Sequence, residues 1–369
     1  MIEIDGSYLE GGGQVLRTAC ALSAVTQKPC RVFNIRKSRT KPGLMPQHLQ
    51  GIQALSELCS ARLEGAELGS EEIRFYPGQK YRGKASISLG AFRQLDRVSV
   101  KIPTAGSITL VLQTLIPPIF MLHHQVVQHS PIKIIFDGGA TDTFFSPTID
   151  HFRYVFLKIL EKMGGKVAIN IQKRGYYPEG GAKVETTISR YQSHGNVSVS
   201  KLKSIDLTKR GNLRNILAIS GASESLKDKK VAERQLQGVR EVLGKLKLPI
   251  EEKAEYYQTQ SPGSQICLAA EFENTVIGTD NLGKLGKRAE DIGKEAALEL
   301  LKEQKTEACL DKHLTDQIIP YLALAPGKSR VTVSEITPHC KTNIWVVEKF
   351  LEGKFEIKEN LITWSPKST

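Results

Sequence analysis

A pattern recurs three times along this chain of 369 residues and limits how it can fold. Each time, an apolar helix candidate with a glutamine near its start is followed by an amphipathic helix candidate that runs into a strand. The first members are Gly13-Gln14-Val15-Leu16-Arg17-Thr18-Ala19, Leu112-Gln113-Thr114-Leu115-Ile116 and Asp316-Gln317-Ile318-Ile319-Pro320-Tyr321-Leu322. The second members span 47–63, 148–163 and 341–351, and are expected to stop at Gly65, Gly164-Gly165 and Gly353. Segments rich in β-branched and aromatic residues at 31–35, 87–89, 98–102, 132–136, 183–188 and 330–333 read as strands. The periodicity predicts three α/β units of similar build. Between the second and third lies a stretch of different character. It offers strand candidates at 197–205, 213–220, 250–257 and 264–272, and charged helices at 228–246 and 287–305 with one apolar face each. The expected organisation is therefore an α/β core at 1–187 and 307–369, with a smaller α/β domain inserted at 188–306. Arg288-Ala289-Glu290-Asp291 reads there as a solvated helix face.

The first helix opens on Glu10-Gly11-Gly12-Gly13, and a helix start without side chains leaves backbone N–H groups bare for an anion. About twenty residues on, Arg36-Lys37-Ser38-Arg39-Thr40-Lys41-Pro42-Gly43 places four cations ahead of Gln47-His48 and a second helix start. Two anion sites so close in sequence point to a polyphosphate substrate. Neither motif has the glycine spacing of a Walker loop or of a dinucleotide fingerprint.

Lysine and arginine total 51 against 39 acidic residues, a net charge of +12 that attracts a polyanion without proving that one binds. Six cysteines without a Cys-x-x-Cys spacing argue against a zinc site and against a disulfide framework. The chain starts in an alternating strand pattern rather than an apolar leader, and no run of about twenty apolar residues follows. A reduced, cytoplasmic, soluble protein without a membrane segment is the expectation.

Among eight histidines, His339 in Thr337-Pro338-His339-Cys340 stands out, just ahead of the third unit's second helix. A helix start disfavours imidazolium, which leaves the neutral, nucleophilic form at neutral pH. Gln47-His48 and Asp150-His151 occupy comparable starts in the other units. Asp137-Gly138-Gly139-Ala140-Thr141-Asp142 reads as a strand-to-helix corner, either a ligand loop or a turn with capping carboxylates. Tyr176 to Gly181 reads as a hairpin or bulge, and His313-Leu314-Thr315-Asp316-Gln317 crowds polar residues at the mouth of a buried helix.

Taken together, these residues resemble the RNA 3′-terminal phosphate cyclase family over nearly the whole chain. The likeness rests on Glu-Gly-Gly-Gly-Gln-x-x-Arg at 10–17, Arg-x-x-Arg-x-Lys-Pro-Gly-Leu-x-x-Gln-His-Leu at 36–49 and Thr104-Ala105-Gly106-Ser107 leading to Gln113. It continues through Tyr177-Pro178 with Gly180-Gly181, His-Leu-Thr-Asp-Gln at 313–317, and His339 before Thr342-Asn343. The resemblance implies three units like the C-terminal domain of translation initiation factor 3, with a domain inserted before the last unit's helices. It implies an ATP-dependent conversion of an RNA 3′-phosphate to a 2′,3′-cyclic phosphodiester through histidine-AMP and RNA-adenylate. In that scheme His339 is the nucleophile. Gln113, Pro147, His313, Leu314, Thr315, Asp316 and Gln317 form the ATP pocket, Arg17, Arg36, Arg39, Gln47 and His48 meet phosphates, and Glu10 holds Mg2+ or Mn2+. The partner is an RNA ending in a 3′-phosphate, and a homodimer is left open. Departures from the family pattern occur at His313, where some relatives carry tyrosine, and at Asp137 and Ala140 in the 137–142 loop. The rival is a non-catalytic cyclase-like ribosome assembly factor that binds RNA, a class lacking the nucleophilic histidine.

Overall fold

A computed structural model describes residues 1–78, 97–122, 131–189, 202–246 and 249–367. The strand expected at 87–89 lies outside the described residues, as does most of the one expected at 197–205.

The first unit runs β1 (Ile2–Asp5), α1 (Gly13–Thr26), β2 (Cys30–Phe33), α2 (Pro46–Cys59), β3 (Arg62–Glu64) and β4 (Ile73–Tyr76). The second runs β5 (Arg97–Ser107), α3 (Ile108–Leu122), β6 (Ile132–Ala140) and a long helix, then β7 (Lys166–Lys173) and β8 (Lys183–Ser189). That long helix is α4 (Ile149–His151), a π-helical stretch (Phe152–Phe156) and α5 (Leu157–Lys162). A short strand, β9 (Asp206–Leu207), comes next, followed by β10 (Leu213–Ser223), α6 (Val231–Leu243), β11 (Ile250–Tyr257), β12 (Ser264–Phe272), β13 (Val276–Leu282) and α7 (Ala289–Lys305). The chain closes with α8 (Lys312–Leu324), β14 (Ser329–Thr332), α9 (Pro338–Phe350), β15 (Gly353–Lys358) and β16 (Leu361–Pro366).

Three of the sheets share one topology. Their orders are β1-β2-β4-β3, β5-β6-β8-β7 and β9-β14-β16-β15, in each case one parallel pair followed by two antiparallel ones. The repeat inferred from apolar segments is thus a repeat of βαβαββ units, and the α/β fold class is the observed one. Asp206 and Leu207, inside the stretch expected as insert, pair in parallel with Arg330 and Val331 and supply the third unit's first strand. The fourth sheet, β11-β10-β12-β13, comes between that strand and α8.

Other expected boundaries shift for local reasons. α2 ends at Cys59 rather than 63, because Ser60 turns left-handed (φ 51°) and Arg62 starts a strand paired with β4. Gly65 does not stop that helix; with φ +72° it turns β3 toward β4. α9 begins at Pro338, so His339 lies inside the first turn and not ahead of it. Residues 202–205 carry no strand, and β13 was not foreseen. Asp137 lies within β6, opposite Lys101 and Lys183, rather than in a loop after it. Glu290, expected on a solvated face, is mostly buried and takes both guanidinium arms of Arg234, at 2.8 and 2.9 Å.

The helices of the three units pack together, α1 on α3 and α9, α2 on α3, and α8 on α3 and α9. The sheets lie outside, and strands such as β5 and β8 alternate buried residues with more exposed ones. One apolar core, from Ile4 and Leu16 through Ile116 and Phe152 to Ile319 and Trp364, joins all three units. A second core, including Ile216, Leu236, Leu268 and Leu300, belongs to the fourth sheet and its two helices. Packing helices inward brings helix starts from different units to one place.

Candidate active site

Gly12 is the N-cap of α1 and offers no side chain to the first turn. The starts of α8 and α9 are capped instead. Asp311 accepts from the N–H groups of His313 and Leu314, and Thr337 Oγ1 accepts from Cys340 N at 3.0 Å. Of these three starts, the bare one is α1, the glycine turn.

Against that turn stands His339. Its Nδ1 touches Glu10 Oε2, an oxygen that is buried and makes no hydrogen bond. Gln14 Nε2 donates to the His339 carbonyl at 2.8 Å and ties α9 to α1. A Cβ on Gly12 would lie 3.6 Å from an Arg39 guanidinium nitrogen and 3.9 Å from His339 Nε2, so both groups look onto the glycine backbone. Burial lowers the His339 pKa, Glu10 works the other way, and Arg17, Arg39 and His313 lower it further. The neutral imidazole expected from its helix position is favoured, chiefly through desolvation.

Gly13 is required by packing. A Cβ there would fall 2.0 Å from His48 Nε2, inside the ring. His48 is buried beneath the glycine turn, where its Nδ1 accepts from Met45 N at 3.2 Å. Burial, reinforced by Arg17 and Arg36, drops its pKa to about 3. The ring supports the turn as a neutral wedge. Arg36 adopts φ 54°, a left-handed conformation that costs about 1–2 kcal/mol in an L residue. Its guanidinium reaches the Gly43 carbonyl at 3.4 Å, and burial lowers its pKa. Arg17 is half-buried and its pKa falls to about 10 through desolvation, with Asp316 opposing, so it stays charged at neutral pH. Among the described residues, none of Arg17, Arg36 and Arg39 forms an ion pair.

The pocket residues divide. Gln113 Nε2 donates to Gln317 Oε1 at 3.1 Å, joining α3 to α8, and Gln317 in turn donates to the His313 carbonyl at 2.8 Å. Asp316 is pushed up to about 8 by burial and by Asp311, with Arg17 working the other way. His313 is exposed at the start of α8. The Leu314 side chain is in the core, and Thr315 is buried with its hydroxyl on the Asp311 carbonyl. Pro147 offers its carbonyl to Thr109 at 2.9 Å, and Gln47 Oε1 accepts from Ser107 N at 3.4 Å. Asn343, quoted only as part of a motif, proves to be a junction. It accepts from Thr18 Oγ1 at 2.8 Å and donates to the Asp316 carbonyl at 2.6 Å, fastening α1, α8 and α9 together. The Asn343 contact spans 325 residues, which no local pattern signals.

The family model for RNA 3′-terminal phosphate cyclase matches residues 8–357. This chain belongs to that family. It is similar to the RNA 3′-terminal phosphate cyclase of Pyrococcus furiosus, 43% identical over 359 residues covering 97% of this chain and 95% of that one. Similar proteins of the same description occur in Ignicoccus hospitalis (41% over 369 residues, 98% and 96% covered) and Pyrobaculum aerophilum (40% over 361 residues, 97% and 95% covered). A solved enolpyruvyl transferase, NikO from Streptomyces tendae, aligns over 99% of this chain and 81% of that one at 9% identity and a TM-score of 0.24, too weak a likeness to bear on fold or function. No helix among the described residues is long and apolar enough to cross a membrane.

Proposed function

We propose that this member of the cyclase family converts an RNA 3′-terminal phosphate to a 2′,3′-cyclic phosphodiester at the expense of ATP, with His339 as the nucleophile. The observation that carries the reading is the pairing of His339 Nδ1 with Glu10 while Nε2 looks onto the glycine turn and Arg39. With a carboxylate set against Nδ1, the tautomer protonated at that nitrogen is favoured, and the Nε2 lone pair is left free.

In the first step Nε2 attacks the α-phosphorus of ATP. An N–P bond forms, the bond to the bridging oxygen breaks, and pyrophosphate leaves. An oxygen of the RNA 3′-phosphate then attacks the same phosphorus, releasing the imidazole and giving RNA-adenylate. Finally the neighbouring 2′-hydroxyl, losing its proton, attacks the terminal phosphate and expels AMP. The protein's task is alignment and charge neutralisation. The bare N–H groups of α1 and Arg17, Arg36 and Arg39, which form no ion pair among the described residues, suit the polyphosphate. Asp316, Gln113 and Gln317 lie where α3 and α8 meet and suit the nucleoside. A divalent cation would be held by Glu10 Oε1, the carboxylate oxygen not set against His339, with substrate phosphates completing its shell. Bound there, it would neutralise charge on the phosphates. A cytoplasmic location fits RNA processing.

Incubation with ATP labelled at the α-phosphate, in parallel with His339→Ala, tests this. Acid-labile label on the parent alone, passing to RNA with a 3′-phosphate and not to RNA with a 3′-hydroxyl, is expected. No label on either protein would overturn the reading and leave the RNA-binding assembly factor.

A further inference from the structure

The outer strand of the second unit's sheet, β7, and the outer strand of the inserted sheet, β11, line one groove of about 870 Å3. Its charge is lopsided. Arg153, Lys173, Arg174 and Lys183 line it, against one carboxylate, Glu255, which is held by the Tyr257 hydroxyl. Arg174 is committed to Asp142 and Asp150, and Arg153 lies 3.9 Å from Asp150. Lys173 and Lys183 are different. They stand directly opposite each other across the β7–β8 ladder, so their side chains share a face, and among the described residues neither has an acidic partner within ion-pair distance. Asp137, next across on β6, makes no such pair with Lys183. Like charges opposed in this way destabilise a sheet unless an anion lies between them.

A line of close packing runs from the rim of the groove toward the site. Gln258 and Thr259 line it, and the adjoining Gln260 packs so closely on Gly181 that a Cβ there would meet its amide at 2.0 Å. Gly180 packs in the same way on Ala105, and Gly106 on Gln47, the neighbour of His48 beneath the glycine turn. The floor is fixed, because Arg174 lies under the Tyr257 ring at 4.6 Å and is anchored by two buried carboxylates.

We propose that the β7–β11 groove holds the sugar-phosphate backbone of the RNA upstream of its reacting end, with Lys173 and Lys183 sharing a phosphate and Tyr257 offering a stacking surface. The inference rests on the RNA substrate proposed above. Phosphate contacts of this kind position a strand without reading its sequence.

The test uses the full chain and two readouts. Binding of a fluorescent 15-nucleotide RNA and of a 3-nucleotide RNA, both ending in 3′-phosphate, is measured for the parent, for Lys173→Glu/Lys183→Glu and for Lys358→Glu, a charge reversal on β15. Cyclisation of the same RNAs is followed alongside. The double variant is expected to bind the long RNA about 10-fold or more weakly with a shallower salt dependence, and the short one as the parent does. Lys358→Glu should bind both like the parent. Equal binding of the long RNA by parent and double variant would overturn the groove proposal and leave two open strand edges suited to an extended peptide. A parent that binds the long RNA through these lysines yet cyclises nothing would sustain the groove and overturn the catalytic reading instead.

Discussion

Arg174 is a buried cation and Arg17 a half-buried one, and they are provided for differently. Arg174, almost fully buried, has Asp142 at 3.1 Å and Asp150 at 2.8 Å, both themselves buried, and Asp142 also accepts from Ile149 N. Around the glycine turn, Arg17, Arg36 and Arg39 form no ion pair among the described residues, while Glu10 is occupied with His339. Buried charge is stable only when paired. A cluster that pairs its charges internally, as at Arg174, is a joint between the second unit and the insert. One that leaves three cations without an ion pair among the described residues fits the polyphosphate proposed above.

The widest separation between the two clusters should come from His339→Ala. Enzyme-AMP formation should drop at least about 1,000-fold while the midpoint of thermal unfolding barely moves, as scored by label incorporation and calorimetry. A melting point that fell sharply would erase the distinction. Arg174→Met should do the reverse. Leaving two buried carboxylates without their cation should cost about 3–5 kcal/mol in urea unfolding, with adenylation by the folded fraction little changed.

Gly13→Ala sharpens the contrast from within the site. Its methyl cannot coexist with the His48 ring, so the turn must shift, and adenylation should fall about 100-fold. Arg39→Ala should weaken adenylation about 10-fold and reveal the sign of the local field. Arg39 lowers the His339 pKa and Glu10 raises it. The acid limb of the adenylation profile should therefore move to higher pH in Arg39→Ala and to lower pH in Glu10→Gln. A shift in the opposite sense in either variant would remove His339 as the titrating group.

The remaining test concerns stability alone. His48 titrates near 3 in the folded protein against an ordinary value of about 6.5, so protonation favours the unfolded chain. Its contribution is complete above about pH 6.5 and is lost as pH falls toward 3. His48→Gln should flatten the acid side of the stability curve across that window, and an unchanged slope would argue against a buried neutral ring.

Much of this was legible beforehand, for reasons that can be named. Apolar periodicity reports which face of a helix is buried, so α1, α3 and α8 were recognisable, as were the glycines at 11–13 that no ordinary helix start would tolerate three in a row. The third unit's first strand was not legible, because Asp206 and Leu207 are too short to carry a period and become a strand only by pairing with β14. The Arg174 cluster was equally hidden, since Asp142, Asp150, Arg174 and Tyr257 belong to four separate segments.

By itself the sequence determined the local chemistry: a bare helix start, a run of cations, and a histidine at a proline-led helix. Each depends on residues within a few positions of one another. Tertiary structure decided which of these meet. Gln14 and His339, or Thr18 and Asn343, are 325 residues apart and come together only because the helices of three units bury their apolar faces in one core, bringing helix starts from the first and third units together.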